Sequence, residues 1–430
     1  MRTGKGFADW LDSSSRREGL FILALILGGA LFRLSALGYP PEEYFDEVYH
    51  AKSAKQYIEG AAPVEWVHPP MAKHLISLGV RVFGYEPWAW RLAPALFGIG
   101  LAPLFYLLAR RVAASERAAR LAAVVLLLDG VYLVQSRIAM TNIFAVFFQI
   151  LATLLILGAV LEKKLPIVRT LCAGTAFGLA LSTRWTSLFA LGFIGLLVLV
   201  VRRRRLLDVR ELALLSGAFA VIPAAIYVLS YAPIVVLRPG LPPWGGSLAR
   251  LFDLQKEIWS YHAHLNATHP YYSAWYTWPF LVRPTWYFFR QTGDTIRGII
   301  AIGNPAIWWA SVPVTFWALV TGVRRREPRR LFAAAGFLML YLPWGLSPRT
   351  LNYSHYLFEA IPYACLSLGI ILDEYWDGSW GVTARAWLGV AVFLFLLFSP
   401  LLMGLPVPSS WFFYRFGGLL GAWTWFRSWI

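Results

Sequence analysis

The sequence predicts an all-α, polytopic membrane protein with about eleven transmembrane helices. Three observations carry that expectation. The 430-residue chain is 58% hydrophobic and 16% aromatic with only 14% charged residues, where soluble domains carry about 25%. Apolar runs of roughly 20 residues, the length that crosses a hydrocarbon core, recur along the chain. The formal net charge of +16 comes from clusters between those runs: Arg16-Arg17, Arg110-Arg111, Lys163-Lys164, the arginines at 202–205, and Arg324 to Arg326 with Arg329-Arg330. These alternate with loops poor in basic residues or balanced by acids, the positive-inside pattern. The charge therefore reports topology and argues against a nucleic-acid partner.

The first span, residues 20–37, leaves a basic cytoplasmic N-terminus. Ser15-Arg16-Arg17 ahead of it resembles a secretion signal, but Arg33 interrupts the run and many spans follow, so it reads as retained. A first outer loop occupies residues 38–87, partly helical, with Pro40-Pro41 and Pro69-Pro70 as breaks. Spans follow at 88–108, 118–134, 142–161, 171–181, 188–201 and 212–231. A second outer segment, 232–297, is rich in Trp, Tyr and His, a composition suited to the headgroup layer. Within it Leu254, Ile258, Tyr261 and Leu265 recur at helical spacing, which predicts an interfacial amphipathic helix. Spans at 299–323, 331–346, 353–372 and 386–403 leave the C-terminus outside. The expected division is an N-terminal transmembrane catalytic region, 1–235, and an outer loop with a four-span region, 236–430. Cys172 and Cys365 both fall in apolar runs and offer neither a disulfide framework nor metal spacing.

On that topology the polar residues that are costly in a bilayer collect on one face. They include Arg33, Asp46, Glu47, His68, Arg91, Gln135-Ser136-Arg137, Asn142, Arg184, His262, His269, Arg283, Asn304, Arg349 and His355. Any one arginine is equally well a snorkelling anchor; a set drawn from many spans reads as a site. Asp46 and Glu47 are adjacent, so on a helix they diverge by about 100° and cannot share a proton face to face. Near a helix N-terminus Asp46 stays ionised and can serve as base for an alcohol attacking a carbon that bears a good leaving group. The plainer reading of either acid is a helix cap or a loop salt bridge.

Arginines suit phosphate as that leaving group. No Gly-rich phosphate loop follows a strand, and the outer face lacks cytosolic nucleotides, so an activated donor has to arrive on a lipid. His262, His264 and His269 are too irregular for a zinc site. Asn266-Ala267-Thr268 and Asn352-Tyr353-Ser354 match glycosylation acceptors, a pattern too short to assign a role. Asp129 before Gly130 stays open between a helix-end contact and a part of the site.

Several segments carry a family resemblance in order along almost the whole chain. They are Phe45-Asp46-Glu47-Val48-Tyr49, His68-Pro69-Pro70-Met71-Ala72-Lys73, Trp90-Arg91, Gln135-Ser136-Arg137-Ile138-Ala139-Met140 and Ser182-Thr183-Arg184-Trp185-Thr186. His269-Pro270-Tyr271-Tyr272-Ser273 through Trp278-Pro279, Gly303-Asn304-Pro305 through Trp308-Trp309, and Leu342-Pro343-Trp344 through Arg349, Tyr353 and His355 continue the series. Together they resemble the protein O-mannosyltransferases, membrane glycosyltransferases of the class C fold that use a polyprenyl-phosphate mannose donor. The resemblance implies Asp46 as the base that activates a Ser or Thr hydroxyl, and Glu47 as the group that orients acceptor or donor sugar. It implies that Arg91 holds the loop and the active site together. His68, Arg137, Arg184, His269, Asn304, Arg349 and His355 match its other substrate-binding positions, with Arg137 and Arg349 expected at the donor phosphate. It further implies inversion in one displacement, with no cofactor and no metal.

Two departures stand out. Thr141-Asn142 occupies the place where the family carries an acid, and the second outer segment is too short for the β-trefoil MIR domain of eukaryotic members. The chain thus resembles the bacterial form, which implies a plasma membrane, secreted or membrane-protein acceptors and the secretion machinery as partner. Rival readings are a class C transferase acting on lipid or glycan, like the aminoarabinose transferases, and a transporter. The transporter reading lacks paired discontinuous segments in two matching halves.

Overall fold

The computed structural model describes residues 13–203, 207–235, 248–265, 267–413 and 421–430. Arg204, Arg205, residues 236–247 of the second outer segment and the acceptor-like Asn266 lie outside the described residues.

Each span expected from the sequence coincides with a helix or a helix pair. In chain order these are α1 (Ser13–Leu34), α4 (Pro87–Val112), α5 (Glu116–Leu127) with α6 (Gly130–Gln135), α7 (Asn142–Val160), α8 (Ile167–Leu181) and α9 (Ser187–Arg202). They continue with α10 (Val209–Ser216) and α11 (Ile222–Val235), then α13 (Pro305–Arg324), α14 (Pro328–Tyr341), α15 (Ile361–Tyr375) and α16 (Gly381–Met403). Among the described residues, five continuous stretches are long and apolar enough to cross a membrane: Pro87–Val112, Asn142–Val160, Val209–Ala232, Pro305–Arg324 and Gly381–Met403. Of the other passes, α1 is long but carries charges at both ends, and the rest are shorter or broken. Asp129 breaks the third one, its Oδ1 accepting from the Tyr132 amide (2.8 Å) to cap α6.

The helices pack as a bundle. α4 lies between α1, α5 and α7; α7 contacts α8 and α9; and α15 joins the two halves by packing on α5 as well as on α13 and α14. Short connections make sequential neighbours antiparallel, so the longer loops collect at one end. Two of them carry helices of their own: α2 (Glu47–Glu59) and α3 (Met71–Phe83) in the first, and α12 (Leu248–His264) in the second. α3 starts directly after Pro69-Pro70, whose second proline is its N-cap.

A small sheet accompanies the helices of the expected fold, and it moves one expected span boundary. β1 (Thr285–Thr292), β2 (Thr295–Ala301) and β3 (Pro406–Pro408) form a three-stranded antiparallel sheet in that order. Residues 299–301, assigned from the sequence to a span, belong to β2, and α13 begins only at Pro305. The physical reason is the aromatic and β-branched run 285–301 folded about Gly293, whose φ of 55° fits the tight turn. A Cβ on Gly130 would lie 2.3 Å from the Ile302 carbonyl, so glycine lets α6 abut the chain leaving β2. The sheet packs on α6 and α16 and forms the back wall of the first loop: Tyr287 of β1 stacks on Phe45 at 4.1 Å.

Candidate active site

The two adjacent acids part at the start of α2. Phe45 holds φ at 51°, the left-handed region that costs a non-glycine residue about 1–2 kcal/mol. The Tyr287 stack pins its ring there. After that turn Asp46 and Glu47 face different surroundings.

Glu47 points inward and is fully buried against Arg91 in a two-pronged pair. Arg91 Nε donates to Oε1 (2.9 Å) and Nη2 to Oε2 (2.8 Å). The Ala139 amide also donates to Oε1 (3.0 Å). Arg91 Nη1 reaches the Leu37 (3.1 Å) and Pro40 (2.8 Å) carbonyls, and Nη2 the Glu42 carbonyl (3.1 Å). This pair therefore ties the end of α1, the first loop, α4 and the turn after α6 together.

Asp46 instead lines a cavity of about 540 Å³. Its floor and walls come from several connections: His50, Glu65 and His68 of the first outer loop, Asn142 and Arg184 of the turns, Tyr261 and His269 of the second outer segment, Arg349 and Tyr353 of the connection between α14 and α15. The Asp46 carboxylate has no hydrogen-bond partner among the described residues, while its backbone carbonyl accepts from the Tyr49 and His50 amides at the start of α2. Burial and then the nearby Glu65 carboxylate push its pKa up to about 6, against the pull of Arg349 and Arg184.

Glu65 behaves in the opposite way. Burial alone would lift it, but Lys73 and then His68 override this and hold it well below the usual carboxylate range. Lys73 donates to Oε2, and the backbone and ring Nδ1 of His68 both donate to Oε1 (2.8 Å each). A carboxylate accepts only, so His68 carries its hydrogen on Nδ1 and turns a bare Nε2 outward. Two carboxylates in one cavity are thus driven apart in proton affinity, one pushed down and sheathed by donors, the other raised to about 6 with no side-chain hydrogen bond among the described residues.

Of the cations, Arg349 has no carboxylate partner among the described residues. Its Nε donates to the Leu351 carbonyl (2.8 Å) and Nη1 to His262 (3.1 Å). Arg184 donates to Asn142 Oδ1, and its Nε lies 3.7 Å from Glu359 Oε1. Asn142, standing where an acid was expected, thus keeps a polar contact without neutralising the arginine.

The structure brings Asp46, His68, Arg184, His269 and Arg349 to this cavity and keeps the other expected site residues from its lining. Glu47 and Arg91 lie behind it as the buried pair. Arg137 does not line the cavity: Nη1 donates to the carbonyls of Phe32 (2.7 Å), Arg33 (2.9 Å) and Ser35 (2.7 Å), and Nη2 to that of Ala36 (3.2 Å). It caps the C-terminus of α1, where carbonyls lack intrahelical donors. Asn304 caps α13 through the Ala306 amide and donates to the Leu128 (3.0 Å) and Ala391 (2.8 Å) carbonyls. Asp129 is its neighbour, accepting from Trp308 Nε1 at 2.6 Å, which settles that acid as a helix-end contact. His355 is buried beneath Phe45 and stacks on Tyr353 (5.4 Å) as a second layer of the wall. Glu65 and His50 were not picked out as site residues; the three-residue spacing of Glu65 and His68 was the available signal.

Comparison with known proteins agrees with this architecture. Residues 23–90 and 86–236 match the family model for dolichyl-phosphate-mannose-protein mannosyltransferase. Residues 247–429 match the model for the C-terminal four-transmembrane region of protein O-mannosyltransferase. The chain is 27% identical to a polyprenol-phosphate-mannose–protein mannosyltransferase of Mycolicibacterium smegmatis, over 92% of this chain and 91% of the relative. It is 29% identical to the Corynebacterium glutamicum protein of the same name, over 84% and 81%. Among solved structures, the fold is similar to that of the S. cerevisiae protein O-mannosyltransferase Pmt1–Pmt2 complex bound to the sugar donor. The TM-score is 0.81 at 16% identity, covering 98% of this chain and 94% of that one. ArnT from Cupriavidus metallidurans bound to undecaprenyl phosphate gives a TM-score of 0.62 at 16% identity, covering 91% and 77%. Matched in series from residue 23 to residue 429, the chain belongs to the protein O-mannosyltransferase family, glycosyltransferases of the class C membrane fold.

Proposed function

We propose that the protein transfers mannose from polyprenyl-phosphate mannose to Ser or Thr hydroxyls of translocated proteins. One observation carries the reading: Asp46, whose carboxylate accepts no hydrogen bond among the described residues, shares a cavity with a cation, Arg349, that forms no ion pair among them. A negative donor phosphate and an acceptor hydroxyl satisfy both. In the step, the hydroxyl oxygen bonds to the sugar's anomeric carbon, its proton passes to Asp46, and the carbon–oxygen bond to phosphate breaks. Polyprenyl phosphate leaves against Arg349 and Arg184, and the sugar inverts. His68 Nε2 accepts from a sugar or acceptor hydroxyl, and His269 and Tyr353 form the aromatic rim. A base with a pKa close to the working pH is well matched to this proton transfer.

The proposed setting is the plasma membrane, with the N-terminus cytoplasmic, the cavity and C-terminus outside, and acceptors delivered by the secretion machinery. Residues 1–235 supply the carboxylates and 236–430 supply Arg349. The test is purified protein given mannose on polyprenyl phosphate, with a Thr-rich peptide and a glycolipid acceptor in competition. Mannosylated peptide is expected. Mannose on the glycolipid alone would favour the aminoarabinose-transferase-like alternative.

A pH prediction follows from the same cavity. Transfer needs ionised Asp46, so the rate falls as pH drops through about 6. Glu65→Gln removes the negative neighbour that raises this value, and moves the acid limb to lower pH. A pH–rate profile of the variant with its limb unmoved or shifted upward contradicts the coupling of the two carboxylates.

A further inference from the structure

We infer that His262 is a positioning residue for Arg349, tying this cavity cation to the loop that carries His68. The inference rests on the reading of Arg349 as a contact to the donor phosphate.

The hydrogen-bond polarity leaves one arrangement. His262 Nδ1 lies 3.1 Å from Arg349 Nη1, and a guanidinium can only donate, so Nδ1 presents its lone pair. Its Nε2 lies 2.9 Å from the Val67 carbonyl, which can only accept, so Nε2 carries the hydrogen. One imidazole thus bridges α12, the Val67–His68 turn and the Arg349 loop, with its tautomer set by both partners. Protonating Nδ1 would point a donor at a donor. The surroundings oppose that: burial, then His68 at 5.4 Å between ring centroids, then Arg349 hold the ring's pKa down at about 4, against the opposing pull of the Val67 carbonyl and, more weakly, of Glu65.

Local structure explains why His262 is available for this. Leu251, Leu254 and Ile258 of α12 bury against Tyr231, with Trp66 and Trp185 packed alongside. His262 lies four residues after Ile258, hence on the same face. Gln255 Oε1, accepting from Tyr227 (2.6 Å), holds the helix to α11. On the other side, Arg349 Nε is fixed by the Leu351 carbonyl and Nη1 by His262, so the guanidinium plane is set before any ligand arrives. Nη2 has no protein partner among the described residues. A preset fork binds a phosphate oxygen without first losing its rotamer freedom.

The test is steady-state kinetics with short-chain polyprenyl-phosphate mannose and a Thr-rich peptide. His262→Phe keeps the ring's volume against Trp185 and Tyr261 but deletes both hydrogen bonds. It is expected to raise the donor KM about tenfold, the scale of one immobilised long side chain, with kcat and peptide KM within about twofold. His262→Gln, which offers an oxygen to Arg349 and an N–H to Val67, restores most of the loss. In an Arg349→Ala background His262→Phe adds nothing. A full His262→Phe effect persisting in that background, or an unchanged donor KM in His262→Phe beside a raised one in Arg349→Ala, overturns the inference. An unchanged donor KM in Arg349→Ala alone overturns instead the assignment of Arg349 on which it stands.

Discussion

Asp46→Asn is expected to lower mannosyl transfer by about 10²–10⁴-fold, the range that a general base contributes, while the protein stays folded and still binds its donor. The geometry separates these effects. The Asp46 carboxylate makes no hydrogen bond to the protein among the described residues, so the amide removes no native hydrogen bond. Its carboxylate is held in a buried place that raises its pKa to about 6, so neutralising it relieves a desolvation cost rather than adding one. The phosphate contacts proposed for Arg349 and Arg184 are untouched. What vanishes is the capacity to take the hydroxyl proton. The measurements are turnover of purified variant, its thermal unfolding midpoint, and donor affinity. Near-wild-type turnover would remove Asp46 as the base. Lost turnover together with a lowered midpoint would make Asp46 a folding residue.

The contrast between Asp46 and Glu47 also shows what one sequence can convey. The helical passes were legible because a hydrocarbon core imposes one demand, roughly 20 apolar residues, that is local in the chain. The divergence of adjacent acids was legible for a similar reason, since side chains one residue apart cannot face the same way. The sheet was missed because the aromatic run 285–301 satisfies both an interfacial belt and a strand. Gln291-Thr292-Gly293-Asp294 between β-forming runs was the turn signal that would have separated them. The site was legible in type and not in assignment. Arg137 and Asn304 look like ligands in a list of membrane-face polar residues, yet each answers to backbone groups at the end of a distant helix. Arg137 serves carbonyls more than a hundred residues earlier, at positions 32 to 36. Such matches depend on tertiary neighbours that spacing does not encode. Glu65 was overlooked for the converse reason, its role arising from Lys73, His50 and Asp46 converging around it.

Arg91→Ala and Glu47→Ala are each expected to destabilise the protein by about 3–5 kcal/mol, because each leaves its partner as an unpaired buried charge. Both side chains are 0% exposed. Arg91 also serves the Leu37, Pro40 and Glu42 carbonyls, so its loss frees the end of α1 and the first loop together. Arg91→Lys retains the charge but not the planar fork, and falls between wild type and Arg91→Ala. Replacing both residues by methionine removes the charges as well as the pair, and is expected to be less destabilising than either single alanine. Transfer should nevertheless stay low in the double variant. The loop that turns Asp46 into the cavity begins at Phe45 in a left-handed conformation, and such strain persists only while its surroundings over-determine it. Thermal unfolding of the detergent-solubilised variants, read beside transfer, tests the assignment. If Glu47→Ala unfolds at the wild-type temperature yet loses transfer, Glu47 works on substrate as the resemblance implies. If it unfolds early and its residual activity scales with the folded fraction, the second acid of the motif is the bolt that holds the first in place.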